Sequence, residues 1–244
     1  PPGVDQLRLK QRMALHKKLN DHVDGYARLS DFEGHDAWTN TAIDLLASNN
    51  TRKAFNLDEE SKETRDRYGR HRFGQSVLLA RRLVEAGVSL VQVNWTRDPD
   101  GTNDSPMWDT HQKNSYWLKE RLMPPMDAAA SALIDDLAER GLLDETLVGW
   151  MGEFGRTPKI NGNAGRDHWG NVFSVAMAGG GVRQGAVHGA SDMNGAEPKD
   201  GVVKPENVLA TIFHCLGLGA DATITDISGR PHHIVYGEPV KAII

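Results

Sequence analysis

Six polar residues between Trp108 and Trp169 have the types and spacing to hold a divalent ion and meet an anion: Asp109, His111, Glu153, Arg156, Asp167 and His168. Asp109 and His111 stand two positions apart in Trp108-Asp109-Thr110-His111. In an extended or turn segment, residues so spaced can point the same way, so one carboxylate and one imidazole can share a metal. Glu153 follows a β-rich run in Gly152-Glu153-Phe154-Gly155-Arg156, where flanking glycines let the backbone turn sharply and approach a ligand. Arg156 offers a planar fork of donors suited to an oxyanion. Arg166-Asp167-His168-Trp169 closes a stretch rich in Gly and Asn. A mixed Asp/Glu/His set without thiolates suits a divalent ion with open coordination positions, and spacing alone does not separate zinc from manganese, iron or calcium.

Each residue also has a plain structural reading. Asp109 fits a helix cap, and His111 fits a hydrogen bond to a backbone carbonyl. Glu153 and Arg156 fit an ion pair with each other. Asp167 fits a turn, or a partner that orients His168 instead of a ligand.

The elements that must position these groups follow from apolar periodicity. Phe73, Val77, Ala80 and Val84 recur at helical spacing, and Gly87 is a natural stop. Val88–Trp95 reads as a buried strand, as do Thr146–Met151 and Val172–Ala178. Pro124-Pro125 opens a helix whose face is Met126, Ala129, Ala130, Leu133, Ile134 and Leu137, with Gly141 as terminator. Pro205 starts another, carrying Val208, Leu209, Ile212, Phe213 and Leu216. Alternating strands and helices predict a layered α/β sheet, with each polar cluster beyond a strand end, where ligands gather in open sheets. Upstream, residues 4–28 and 39–54 are helix-prone and joined by the Asp/Gly-rich segment 30–36, and Asn56-Leu57-Asp58-Glu59 reads as a helix start. Residues 1–70 are therefore expected to form a peripheral helical segment within a single domain spanning 1–244. His35 is read as an ordinary loop histidine.

Bulk properties narrow the function classes. A net charge of −5 offers no basic field for nucleic acid. No apolar run approaches the roughly 20 residues that span a bilayer. Cys215 is the single cysteine, which excludes an intrachain disulfide and a multi-thiolate zinc site. Gly179-Gly180-Gly181 is followed by no phosphate-loop lysine, so a nucleotide-binding reading is weak.

The segments YGRHRFGQSVLLARRLVEAGVSLVQVNW, WDTH, RGLLDETLVGWMGEFGRTPKI and GRDHWGNVFSVAMAGGG resemble the sulfatase-like family catalogued as domain of unknown function 1501. The similarity covers nearly the whole chain and is strongest from Phe73 to Gly217. That family is similar to the alkaline phosphatase superfamily of phosphatases, sulfatases and cofactor-independent phosphoglycerate mutases.

The resemblance implies a layered α/β/α sandwich, present here as the C-terminal portion of a longer member. It implies that Asp109, His111 and His168 hold one divalent ion, with zinc first and manganese, iron or calcium as alternatives. Glu153 would hold a second ion or tune the first, Arg156 would neutralise a substrate oxyanion, and Asp127 and Asp167 would support the ligands. The implied substrate is a small anionic ester, such as a sulfated or phosphorylated carbohydrate, and the implied location is exported or periplasmic.

The chain departs from the superfamily pattern in three places. The superfamily separates its Asp and His more widely than Asp109 and His111. Phe154 stands where a second metal-binding His is usual. No segment resembles the superfamily's first strand, with its Asp ligand and its Ser or Thr nucleophile, so the nucleophile is unidentified and association with a missing N-terminal half is expected. The competing expectation is an inactive binding or assembly module that keeps the fold.

Overall fold

The computed structural model describes Leu7, Arg8, Gln11, Arg12, Ala14, Leu15 and Lys18, together with residues 53–95 and 107–244. The chain divides into two compact units, residues 1–49 and 50–244. In the first, the seven described positions are helical and exposed. The helix expected over 39–54 is described only at Lys53 and Ala54, which are helical, and segment 30–36 with His35 lies outside the described residues. Residues 50–70, expected to be peripheral, belong to the second unit.

That unit begins with a 3-10 turn at Leu57–Glu59, whose cap Asn56 accepts the Asp58 amide. Helix α1 (Lys62–Tyr68) is capped by Ser61, whose hydroxyl accepts the Thr64 amide. Helix α2 (Arg72–Glu85) starts where His71 Nδ1 accepts the Gly74 amide and ends before Gly87, as its periodicity predicts. A rod then runs from Asn114 to Glu139 in three parts: α3 (Asn114–Trp117), a π-helical turn (Leu118–Leu122) and α4 (Met123–Glu139). Pro124-Pro125 therefore interrupts a helix already begun. Neither proline has an N–H to give, and each ring would strike the carbonyl four residues back, at Glu120 and Arg121. The widened turn, in which the Met123 amide reaches the Leu118 carbonyl, moves those carbonyls aside.

Helices α1, α2 and α4 enclose the core of Tyr68, Val77, Leu78, Ala129 and Ala132, with Leu57, Phe73, Val93 and Leu133 packed on it. Beneath it lies a charged knot. Arg81, 1% exposed, contacts Glu60 at 2.8 Å, Glu85 at 2.6 Å and Asp136 at 2.9 Å. Tyr68 donates its hydroxyl to Asp136, and Arg140 pairs with Asp136 and Glu85. Burial alone would raise the Asp136 carboxyl, but bonds from Arg140 and Tyr68 outweigh it and hold the group below the ordinary range. Glu60 behaves alike: burial is outweighed by Arg82 and Arg81.

The rest of the unit mixes short strands with one helix, giving an α/β chain in which sheet is confined, among the described residues, to four two-stranded antiparallel pairs. β1 (Leu147–Trp150) pairs with β4 (Ala176–Gly179), and β2 (Gly155–Arg156) with β3 (His168–Trp169). β5 (Ala190–Ser191) pairs with β6 (Pro198–Asp200), and β7 (Thr223–Thr225) with β8 (Pro231–His233). Helix α5 (Pro205–Cys215) begins at the expected proline.

Two of the three expected core strands are thus present, shortened, and are neighbours. The third requires correction: Val88–Trp95 has no strand pairing among the described residues. Its apolar residues serve side-chain packing instead, with Val93 on the helical core and the Trp95 ring 4.6 Å from Phe73 and 5.7 Å from Trp108. Leu90 is left 84% exposed. No described helix is long and apolar enough to cross a membrane.

Candidate metal centre

The aromatic series Phe73, Trp95, Trp108 leads from helix α2 to the doorstep of Asp109. Beyond it, residues 109–113 form an irregular turn that enters α3 through Lys113, a non-glycine residue at φ +46°. Facing this turn is the β2–β3 hairpin, which sets Arg156 opposite His168. Its connecting loop, residues 157–167, clamps the turn through the backbone. The amides of Lys113 and Asn114 donate to the carbonyls of Asn163 and Ala164, and the Arg166 amide donates to the Thr110 carbonyl. Gly165 is buried where a Cβ would lie 1.9 Å from the His111 carbonyl oxygen, so only glycine allows this approach.

The clamp brings three donor atoms together. Asp109 Oδ1 lies 3.0 Å from His111 Nε2 and 2.9 Å from His168 Nε2, and the two Nε2 atoms are 3.1 Å apart. His111 Nδ1 lies 2.8 Å from Asp167 Oδ1. An ionised carboxylate only accepts, so Nδ1 donates to Asp167, and Nε2 is the ring nitrogen that faces the triangle. Arg156 Nη2 lies 2.6 Å from Asp109 Oδ1 and also donates to the Trp108 carbonyl, while Nη1 donates to the Arg166 carbonyl. Hydrogen bonds from His168, then Arg156, hold the Asp109 carboxyl down at about 2. The Asp167 carboxyl is likewise lowered, first by His111 and then by Asn161.

This donor set fits a divalent ion. Metal bonds of about 2.0–2.2 Å place neighbouring donors about 3 Å apart at octahedral angles and about 3.3–3.6 Å apart at the tetrahedral angles zinc prefers, and this triangle lies at the short end of that range. Two imidazoles and one carboxylate form a set with open positions that zinc, manganese and iron all accept. Among the described residues, the group of mutually close His, Cys, Asp and Glu donors is Asp109, His111 and His168.

The remaining expected site residues are distributed unevenly. Asp167 and Arg156 touch the triangle from outside it. Glu153 is exposed and does not belong to the donor group, and the ion pair weighed for it with Arg156 gives way to Arg156–Asp109. Asp127 sits on an exposed face of α4, where its carbonyl accepts from Ser131. Asp109 caps no helix. The Phe154 ring packs at a tilt against His168, with ring centres 4.2 Å apart.

Asn161 is a participant that sequence reasoning passed over. Its Oδ1 accepts the amides of Asn163 and Gly165, and its Nδ2 donates to the His111 carbonyl and to Asp167 Oδ1. The signal was the Asn-Gly-Asn-Ala-Gly run of residues 161–165, since asparagine side chains commonly close such turns.

A loop-built cluster of two histidines and a carboxylate, oriented by a further carboxylate and an arginine, defines a candidate metal-binding α/β protein. The chain belongs to the family described as protein of unknown function (DUF1501), which it matches over residues 1–244. No curated protein and no solved structure matches it.

Proposed function

We propose that this chain carries the metal-holding part of a hydrolase for phosphate or sulfate esters, related to the alkaline phosphatase-like sandwich enzymes. The observation that carries the reading is the triangle of Asp109, His111 and His168, with edges of 2.9–3.1 Å and donor types suited to zinc, manganese or iron. A bound divalent ion supplies Lewis-acid polarisation of an ester oxygen. The chain's own residues hold and tune the site. Asp167 fixes the tautomer of His111, Arg156 keeps Asp109 ionised, and the Phe154 ring walls one side of His168. Small anionic esters, including sulfated or phosphorylated carbohydrates, are the proposed substrates. The nucleophile and any partner ligand to Glu153 are proposed to come from a further segment of a longer, exported protein.

A second reading, metal binding without turnover in a binding or assembly module, is favoured by Arg156. Its guanidinium is engaged by one carboxylate and two carbonyls, leaving it a poor clamp for a substrate oxyanion.

The two readings are separated by loading the protein with zinc or manganese, measuring bound metal, and assaying aryl phosphates and sulfates beside a longer protein that includes preceding residues. The hydrolase reading expects bound metal in both and turnover in the longer protein, abolished by His168→Ala. Bound metal with no turnover in either supports the second reading, and failure to bind metal sinks both.

A further inference from the structure

The loop between β2 and β3 has a single side chain that touches both what orients His111 and what holds it in place. We infer that Asn161 is a positioning residue for the metal centre, locking the His111 backbone and the Asp167 carboxylate into one rigid unit so that Nε2 of His111 faces Asp109 and His168. The inference rests on the metal-binding reading above.

The orientation of the Asn161 amide follows from its neighbours. Two backbone N–H groups, of Asn163 and Gly165, each lie 2.9 Å from one side-chain atom, which must therefore be the oxygen. The other atom lies 3.1 Å from the His111 carbonyl and 3.1 Å from Asp167 Oδ1, both acceptors, so it must be the nitrogen. Two acceptances and two donations use the side chain fully, and no flipped arrangement satisfies it.

The consequence is geometric. His111 is gripped at its carbonyl by Asn161 and at Nδ1 by Asp167, while Asn161 also grips Asp167. The three groups form a closed cycle, so neither the ring nor its carboxylate partner can rotate alone. A histidine ligand whose outer nitrogen is held in this way arrives with its orientation entropy already lost, and outer partners of this kind commonly govern metal affinity by about 10–100-fold. Asn161 itself contributes no donor to the triangle and acts only through these two partners.

The discriminating variant is Asn161→Asp. It keeps an oxygen for the Asn163 and Gly165 amides, so the loop closes, but sets an acceptor against the His111 carbonyl and the Asp167 carboxylate. The probe is cobalt(II), with affinity measured by calorimetry and geometry read from the visible absorption of the bound ion. Thermal melting of the metal-free protein controls for folding. The inference expects an apo-protein that melts cooperatively, cobalt affinity lower by about 10–100-fold, and an altered cobalt spectrum. Asn161→Ser, whose hydroxyl can still accept a loop amide, is expected to weaken binding in the same way.

Wild-type affinity with an unchanged spectrum in a folded variant would overturn the inference while leaving the metal reading intact. Failure of both variants to fold would assign Asn161 to the fold alone and overturn it as well. A wild-type chain that binds no cobalt would instead bring down the metal reading, and this inference with it.

Discussion

The Nε2 atoms of His111 and His168 lie 3.1 Å apart, although the two residues are separated by 57 positions in the chain. Two imidazole nitrogens that close, both within 3.0 Å of one carboxylate oxygen, form an arrangement that a shared cation relieves. The expectations below follow from this contact and from the groups that enforce it.

Asp167→Asn should weaken divalent-metal affinity by about 10–100-fold while shifting the melting temperature little. The carboxylate is more than half exposed, so its contribution to stability is small, but it is the group that fixes the His111 tautomer. Isothermal titration with zinc beside thermal melting would check this. A large fall in melting temperature with unchanged affinity would count against it.

Gly165→Ala should damage fold and site together. The new methyl would lie 1.9 Å from the His111 carbonyl oxygen and 2.4 Å from the Gln112 amide nitrogen, so the two segments must separate. Overpacking of this kind costs about 1–3 kcal/mol. Urea unfolding should show the loss, and metal titration should show an affinity well below wild type.

Arg81→Met should destabilise the protein by about 3–5 kcal/mol, because Glu60 and Asp136 would lose the buried cation they share and keep only Arg82 and Arg140. Chemical denaturation at neutral pH measures it. Raising acidity should then narrow the difference, since protonating Glu60 and Asp136 removes the charges that Arg81 serves.

Acid should act on the metal-free site in a defined window. The Asp109 carboxyl sits at about 2 in the folded protein, against an ordinary value of about 3.9. A depressed folded value means the folded state holds the proton less tightly than the unfolded one. The stability Asp109 adds is therefore complete above about pH 4 and lost as pH falls towards 2. Asp109→Asn should flatten the urea midpoint between those pH values, and an unchanged slope would refute the assignment.

Much of the site was legible in the sequence, and less of the framework around it. Asp109, His111 and His168 were recognisable because chemistry restricts which residue types can stand together around an ion. Helices α2 and α5 were legible from their apolar period, with Gly87 stopping the first and Pro205 starting the second. Val88–Trp95 misled because its β-branched and aromatic content matches a strand, while the contacts that consume it are those of single side chains with helices and other rings. Glu153 stands outside the triangle because position after a strand says nothing of which way a short glycine-flanked turn aims a side chain. Asn161 read only as a turn residue because three of its four hydrogen bonds stay within six positions, and the one that ties it to the site reaches His111, fifty positions away.

The π-helical turn before Pro124 sets the phase of the long rod. A π turn is an α-helix carrying one residue more than the turn needs, absorbed as a local widening. Removing one residue from 118–122 would return the turn to α-helical pitch and set the Pro124 and Pro125 rings against the carbonyls four residues before them. The same deletion anywhere in α4 would swing every residue beyond it by about 100° and tear Asp136 away from Tyr68 and Arg81. The extra residue and the paired prolines therefore go together, and the widening lets one rod carry Asn114 at the metal-site end and Asp136 at the Arg81 end.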